Sequence, residues 1–106
     1  MPSRVTAQPV VPPAPVVDWT FMTNHTHVLV CLHRQPMLRV RDVALAVGIT
    51  ERAVLKILAD LETAGFITRQ RQGRNNTYSI HPQKPLRHPV ERHRTVADLL
   101  ELFNKG

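Results

Sequence analysis

The sequence predicts a small, mainly α-helical domain with one β-hairpin, an α+β arrangement around a single core. Three observations carry this expectation. Apolar residues recur at helical spacing in four separate segments. A short apolar helix candidate ends at Gly48, and a helix-start signal, Thr50 followed by Glu51, comes directly after it. Two β-prone runs flank the turn-rich residues 72–76. With 106 residues, 42% of them hydrophobic, the chain has room for one such core.

Residues 1–17 hold five prolines (Pro2, Pro9, Pro12, Pro13 and Pro15) and little charge. Proline removes an amide donor and favours extended backbone, so this stretch reads as a flexible arm. Over residues 19–34, Phe21, Val28, Leu29 and Leu32 fall at helical spacing. Thr20 or Thr23 is the candidate cap, and Pro36 marks the end. Residues 42–47 read as a short helix with Val43, Ala44 and Val47 on one face. Gly48 breaks it.

Thr50 offers an acceptor to the unpaired amides of the next helix, and Glu51 suits its positive end. That helix is expected to run to about residue 64, with Val54, Ile57, Leu58 and Leu61 as its buried stripe. Gly65 ends it, and Phe66 can pack back on Leu61. Residues 67–71 and 77–81 are strand candidates that close into a hairpin. Residues 82–94 contain Pro82, Pro85 and Pro89 and read as an irregular connection. Residues 95–103 form the last helix, with Thr95 and Asp98 as a capping pair. Its stripe is Val96, Leu99, Leu100 and Phe103, widened by Leu102. The expected organisation is therefore an arm at 1–17, a compact unit at 18–82, and a linker with an amphipathic helix at 83–106.

Helix, short helix, tight turn, longer helix, hairpin is the order of a winged helix-turn-helix. Ala44 is small where two helices must approach closely. Gly48 permits the sharp turn, and Val43, Val47, Ile49, Val54 and Ile57 fill the junction. Arg52, Lys56, Ala59 and Thr63 lie opposite the buried stripe of the second helix, with Leu55 at its flank. The N-terminal end of such a helix is the part that enters a DNA major groove. Arginine can read guanine with two hydrogen bonds, and lysine can reach guanine or phosphate. Leu55 can touch a thymine methyl or cover its own core. The hairpin carries Arg69, Arg71 and Arg74 with Asn75 and Asn76, which suits phosphate contact and the minor groove.

The formal net charge is +6. Residues 50–94 hold nine basic residues against four acidic ones, so most of the excess falls on the segment expected to face a polyanion. The expected DNA-contacting set is Thr50, Arg52, Leu55, Lys56, Arg69, Arg71, Arg74, Asn75 and Asn76. Double-stranded DNA and a second copy of the chain are the expected partners. Trp19, Phe21 and Met22, with Val96, Leu99, Leu100 and Phe103, are the expected subunit contact. A short C-terminal helix is marginal alone and has to dock on something.

Four segments resemble a known group of proteins: WTFMTNH at residues 19–25, GITERAV at 48–54, ADLETAG at 59–65 and PLRHPVERHRTVADLL at 85–100. They are similar to small winged-helix regulators related to the multiple-antibiotic-resistance (MarR) and arsenic-repressor (ArsR) families. The resemblance covers nearly everything after the proline arm. It implies a homodimeric transcription regulator, and it brings no operator and no effector with it.

Other chemistry finds little support. One cysteine excludes an intrachain disulfide framework and a cysteine-rich zinc site. Only His27 and Cys31 have helical ligand spacing, two ligands where zinc wants four. No metal, cofactor or catalytic residue is expected. Ser3 and Ser79 sit in no nucleophile turn, and no glycine-rich phosphate loop is present. No leader and no apolar run of membrane length are evident, so a cytoplasmic location is expected. Two alternatives stay open: a winged-helix module that binds an acidic protein, and a metal- or redox-responsive repressor using Cys31.

Overall fold

The computed structural model describes residues 18–104. The proline-rich arm expected at 1–17 lies outside the described residues. The elements in chain order are α1 (Asn24–Arg34), α2 (Val40–Val47), α3 (Glu51–Thr63), β1 (Ile67–Gln72), β2 (Asn75–Ile80) and α4 (Val96–Glu101). This is the mainly helical winged helix-turn-helix that the sequence predicts.

Thr23 settles where α1 begins. Its extended backbone leaves the helix, and its hydroxyl accepts from the Thr26 amide. Of the two candidate caps, Thr23 rather than Thr20 starts the helix, so Trp19, Phe21 and Met22 precede it and Phe21 is not part of its stripe. Trp19 and Phe21 instead pack edge to face, with ring centroids 4.9 Å apart. α2 begins at Val40, two residues before the expected start, and Val40 packs partly against the core. Gly48 follows it with φ +86°, and its amide donates to the Ala44 carbonyl at 2.8 Å. A side chain at that left-handed position would press on its own backbone, so glycine makes the turn cheap.

Thr50 caps α3 by accepting from the Ala53 amide at 3.0 Å. The helix closes where the Phe66 amide donates to the Leu61 carbonyl at 2.9 Å. β1 and β2 pair antiparallel from Ile67 opposite Ile80 to Gln72 opposite Asn75. The loop between them is thus two residues, Gly73 and Arg74, not the five expected. Gly73 has φ +64° and no other residue of the loop has a positive φ, the pattern of a type II′ turn. That turn matches the twist of the flanking strands, so pairing continues through Gln72 and Asn75.

The largest fully buried side chains are Val28, Leu32, Val43, Val54, Ile67 and Val96. They come from α1, α2, α3, β1 and α4, so one core holds every helix and the base of the hairpin. α4 reaches that core because the chain before it is tied down. The Leu86 amide donates to the Arg94 carbonyl and the Val96 amide to the Lys84 carbonyl, both at 2.9 Å. Thr95 and Asp98 form the expected capping box. The backbone hydrogen bond from Thr95 holds the Asp98 carboxyl below the ordinary carboxylate range.

Candidate nucleic-acid interface

α3 is held on one side by Val54, Ile57, Leu58 and Leu61, all buried. The opposite side is bare. Arg52, Leu55, Lys56 and Ala59 are exposed, and nothing else among the described residues covers them. Leu55 is 56% exposed, so it is not a core residue. Thr50 is also exposed; its hydroxyl oxygen accepts from the Ala53 amide, and its O–H remains a donor. Among the described residues, no ion pair involves Arg52.

Lys56 is different. Its Nζ donates to Asp60 Oδ1 at 3.2 Å, one helical turn on. Asp60 Oδ2 in turn lies 2.8 Å from His25 Nε2. The hydrogen bond from His25, and then that from Lys56, hold the Asp60 carboxyl below its usual range. Sequence reasoning missed both His25 and Asp60. The spacing of Lys56 and Asp60 was legible as a helical pair. The approach of His25, 35 residues away, was not.

In the hairpin, directly paired residues share a face. Ile67 and Ile80, Arg69 and Tyr78, and Arg71 and Asn76 lie on one face; Gln72 and Asn75 lie on the other. Ile67 is buried at the base of the first face, so Arg69 and Arg71 continue that face outward from the core. Arg71 Nε donates to the Gly73 carbonyl at 3.2 Å, which braces the turn. Arg74 is the second loop residue and is exposed. Asn75 and Asn76, expected at the tip with it, are strand residues pointing to opposite faces. Tyr78 is half-buried, and burial pushes its hydroxyl up while Arg69 opposes the shift.

The expected subunit contact divides. Val96 and Leu100 are buried in the chain's own core and are not available to a partner. Leu99 and Phe103 are half-buried. Trp19, at 69% exposed, and Phe21, at 90%, remain as bare apolar surface, and Met22 is half-buried; Leu102, outside the expected set, is also bare. Arg34 donates to the Phe103 carbonyl at 3.1 Å, so the end of the described chain is tied to α1.

A cleft of about 460 Å³ lies between the start of α1, the second half of α3 and the connection before α4. Leu61, Phe66 and Val96 line it, with His25, Asp60 and Glu91. Among the described residues, no three His, Cys, Asp or Glu side chains group as a metal site. His27 Nδ1 lies 3.1 Å from Asn24 Oδ1. Burial pushes the Cys31 thiol up, only partly opposed by Arg34, which disfavours the thiolate needed for ligation or attack. No described helix is long and apolar enough to cross a membrane.

The MarR family model matches residues 23–76, just over half of the chain. The match runs from the cap of α1 to the second residue of β2 and so takes in the whole helix-turn-helix. No curated protein sequence matches. Among solved structures, the fold is similar to MepR, a transcription regulator of the Staphylococcus aureus multidrug efflux pump MepA. That likeness has a TM-score of 0.52 and 22% identity, and it covers 78% of this chain and 58% of MepR. The chain therefore spans a little over half the length of that structural relative. The family model covers more than half of the chain, and the chain belongs to the MarR family.

Proposed function

We propose that the protein is a transcription regulator that binds double-stranded DNA as a homodimer. The N-terminal half of α3 enters the major groove and the hairpin tracks the phosphate backbone. The observation that carries this reading is the uncovered edge of α3. Arg52 and Lys56 project from the second helix of a helix-turn-helix, on the side away from the core, with no part of the described chain over them. Arg69, Arg71 and Arg74 add charge on an exposed hairpin, where contact with phosphate needs no special shape. Leu55 stands between Arg52 and Lys56 with more than half its surface bare, which fits a thymine methyl. Two copies joined through Trp19, Phe21 and Met22, with Leu99, Leu102 and Phe103, would present two such edges to successive grooves.

The test is selection of genomic fragments by the intact protein and by an Arg52→Ala/Lys56→Ala double variant. The intact protein enriches a defined duplex, and the double variant binds DNA without that preference. If the double variant enriches the same fragments, the assignment of α3 is wrong. Enrichment of nothing over random duplex favours the alternative, an acidic protein partner for the basic face.

A further inference from the structure

His25 and Asp60 sit in the segments WTFMTNH and ADLETAG, and DNA contact by itself gives neither a role. The fold brings them together. One carboxylate is shared between the imidazole of His25, 2.8 Å from Oδ2, and the ammonium of Lys56, 3.2 Å from Oδ1. The side chains of His25 and Asp60 are 47% and 36% exposed, so protons reach them freely. We propose that His25 and Asp60 are positioning residues for Lys56, holding its ammonium back along α3 while His25 is neutral and releasing it toward DNA when His25 gains a proton. This rests on the DNA-binding reading of α3.

The physics is a competition for one negative charge. A neutral imidazole donates a hydrogen bond to Asp60 and leaves the carboxylate's charge to attract Lys56. An imidazolium cancels that charge, and the pull on Lys56 falls. The Lys56–Asp60 pair is easily surrendered, because the cation precedes the anion along the helix, the less favourable order. Lys56 is also well exposed, at 74%, so little holds it besides Asp60. Asp60 itself stays ionised throughout, since its hydrogen bonds to His25 and Lys56 favour the charged form.

The charged groups around His25 come from two elements. α3 contributes Lys56 and Asp60, and the connection before α4 contributes Arg87, His88 and Glu91, which line the same cleft. Arg87 and Glu91 bring one charge of each sign to that cleft. His88 is the second imidazole. Its Nδ1 accepts from the Val90 amide at 3.1 Å, and it needs its own control.

The test measures binding of a fluorescein-labelled random-sequence duplex of about 30 base pairs, at constant salt, between about pH 8 and pH 5.5. The intact protein is expected to tighten on the order of fivefold as pH falls. His25→Gln keeps a donor near Asp60 but cannot titrate, and its profile is flat. His88→Gln keeps the normal profile. Asp60→Asn binds at the alkaline end as tightly as the intact protein does at the acid end. In a Lys56→Gln background both the pH effect and the Asp60→Asn gain disappear. A normal pH profile in His25→Gln overturns the proposal. So does an Asp60→Asn gain that survives undiminished without Lys56, because it then reflects net charge alone. No binding by the intact protein at any pH overturns the DNA-binding reading as well. All the substituted side chains are on the surface, and equal thermal melts check that each variant folds.

Discussion

Arg52 and Lys56 stand one turn apart on the same bare edge, yet they are held differently. Among the described residues, Arg52 has no ion-pair partner, while Lys56 is tethered to Asp60. An untethered guanidinium near a helix N-terminus is placed for two parallel hydrogen bonds to guanine, a geometry lysine cannot copy. Arg52→Lys is therefore expected to keep general DNA affinity within about twofold and to lose discrimination at one base pair by about 1–3 kcal/mol. Competition between duplexes that differ at single positions measures this directly. Equal discrimination in the two proteins would place Arg52 on phosphate instead. The exposed edge of α3 was legible in the sequence, but the restraint on Lys56 was not. Helical periodicity puts Arg52 and Lys56 opposite Val54 and Ile57 whatever the fold. The contact of His25 with Asp60 depends on how α1 crosses α3, which no local pattern encodes.

The hairpin makes the same point at the scale of elements. Its existence was legible from two β-prone runs around a glycine. Its turn was misjudged, because Gln72, Asn75 and Asn76 look like loop residues by composition. Gly73 at positive φ lets the strands pair up to the turn itself, and pairing outweighs the weak strand preference of asparagine. The resulting wing carries Arg69 and Arg71 on a paired two-stranded ribbon and Arg74 in its two-residue turn. Replacing Arg69, Arg71 and Arg74 with alanine should weaken binding to all duplexes alike. The slope of log affinity against log salt should become shallower by about 0.9 for each phosphate that an arginine no longer neutralises. Titrations at several salt concentrations give that slope. An unchanged slope would remove the wing from the phosphate backbone. The helix caps were the easiest features to read. Thr23, Thr50 and Thr95 each accept the expected amide, because a cap depends only on residues three apart.

For the whole molecule, the question is what the C-terminal segment docks on. An amphipathic stripe looks the same in sequence whether it faces its own core or a partner. Here Val96 and Leu100 complete the chain's own core. The bare apolar surface that remains includes Leu102 in that segment and, at the other end of the described chain, Trp19 and Phe21. An exposed pair of aromatics in contact with each other is an economical anchor for a second subunit. Trp19 is the single tryptophan, so its fluorescence reports on that surface alone. Dimerisation through it predicts blue-shifted emission at high protein concentration that moves to the red on dilution, in step with the mass seen by sedimentation. Phe21→Ala and Leu102→Ala should shift that transition to higher concentration. Emission that stays solvent-like while the protein is dimeric would place the subunit contact elsewhere.

If the exposed edge of α3 lies in the major groove, guanine N7 reports the contact. Dimethyl sulfate protection on a duplex enriched by the intact protein should show guanines shielded in two patches about one helical turn apart. The protection should vanish in the Arg52→Ala/Lys56→Ala variant at a concentration that still saturates the DNA. Guanines that stay reactive under the intact protein, or protection that survives the double substitution, would contradict the account.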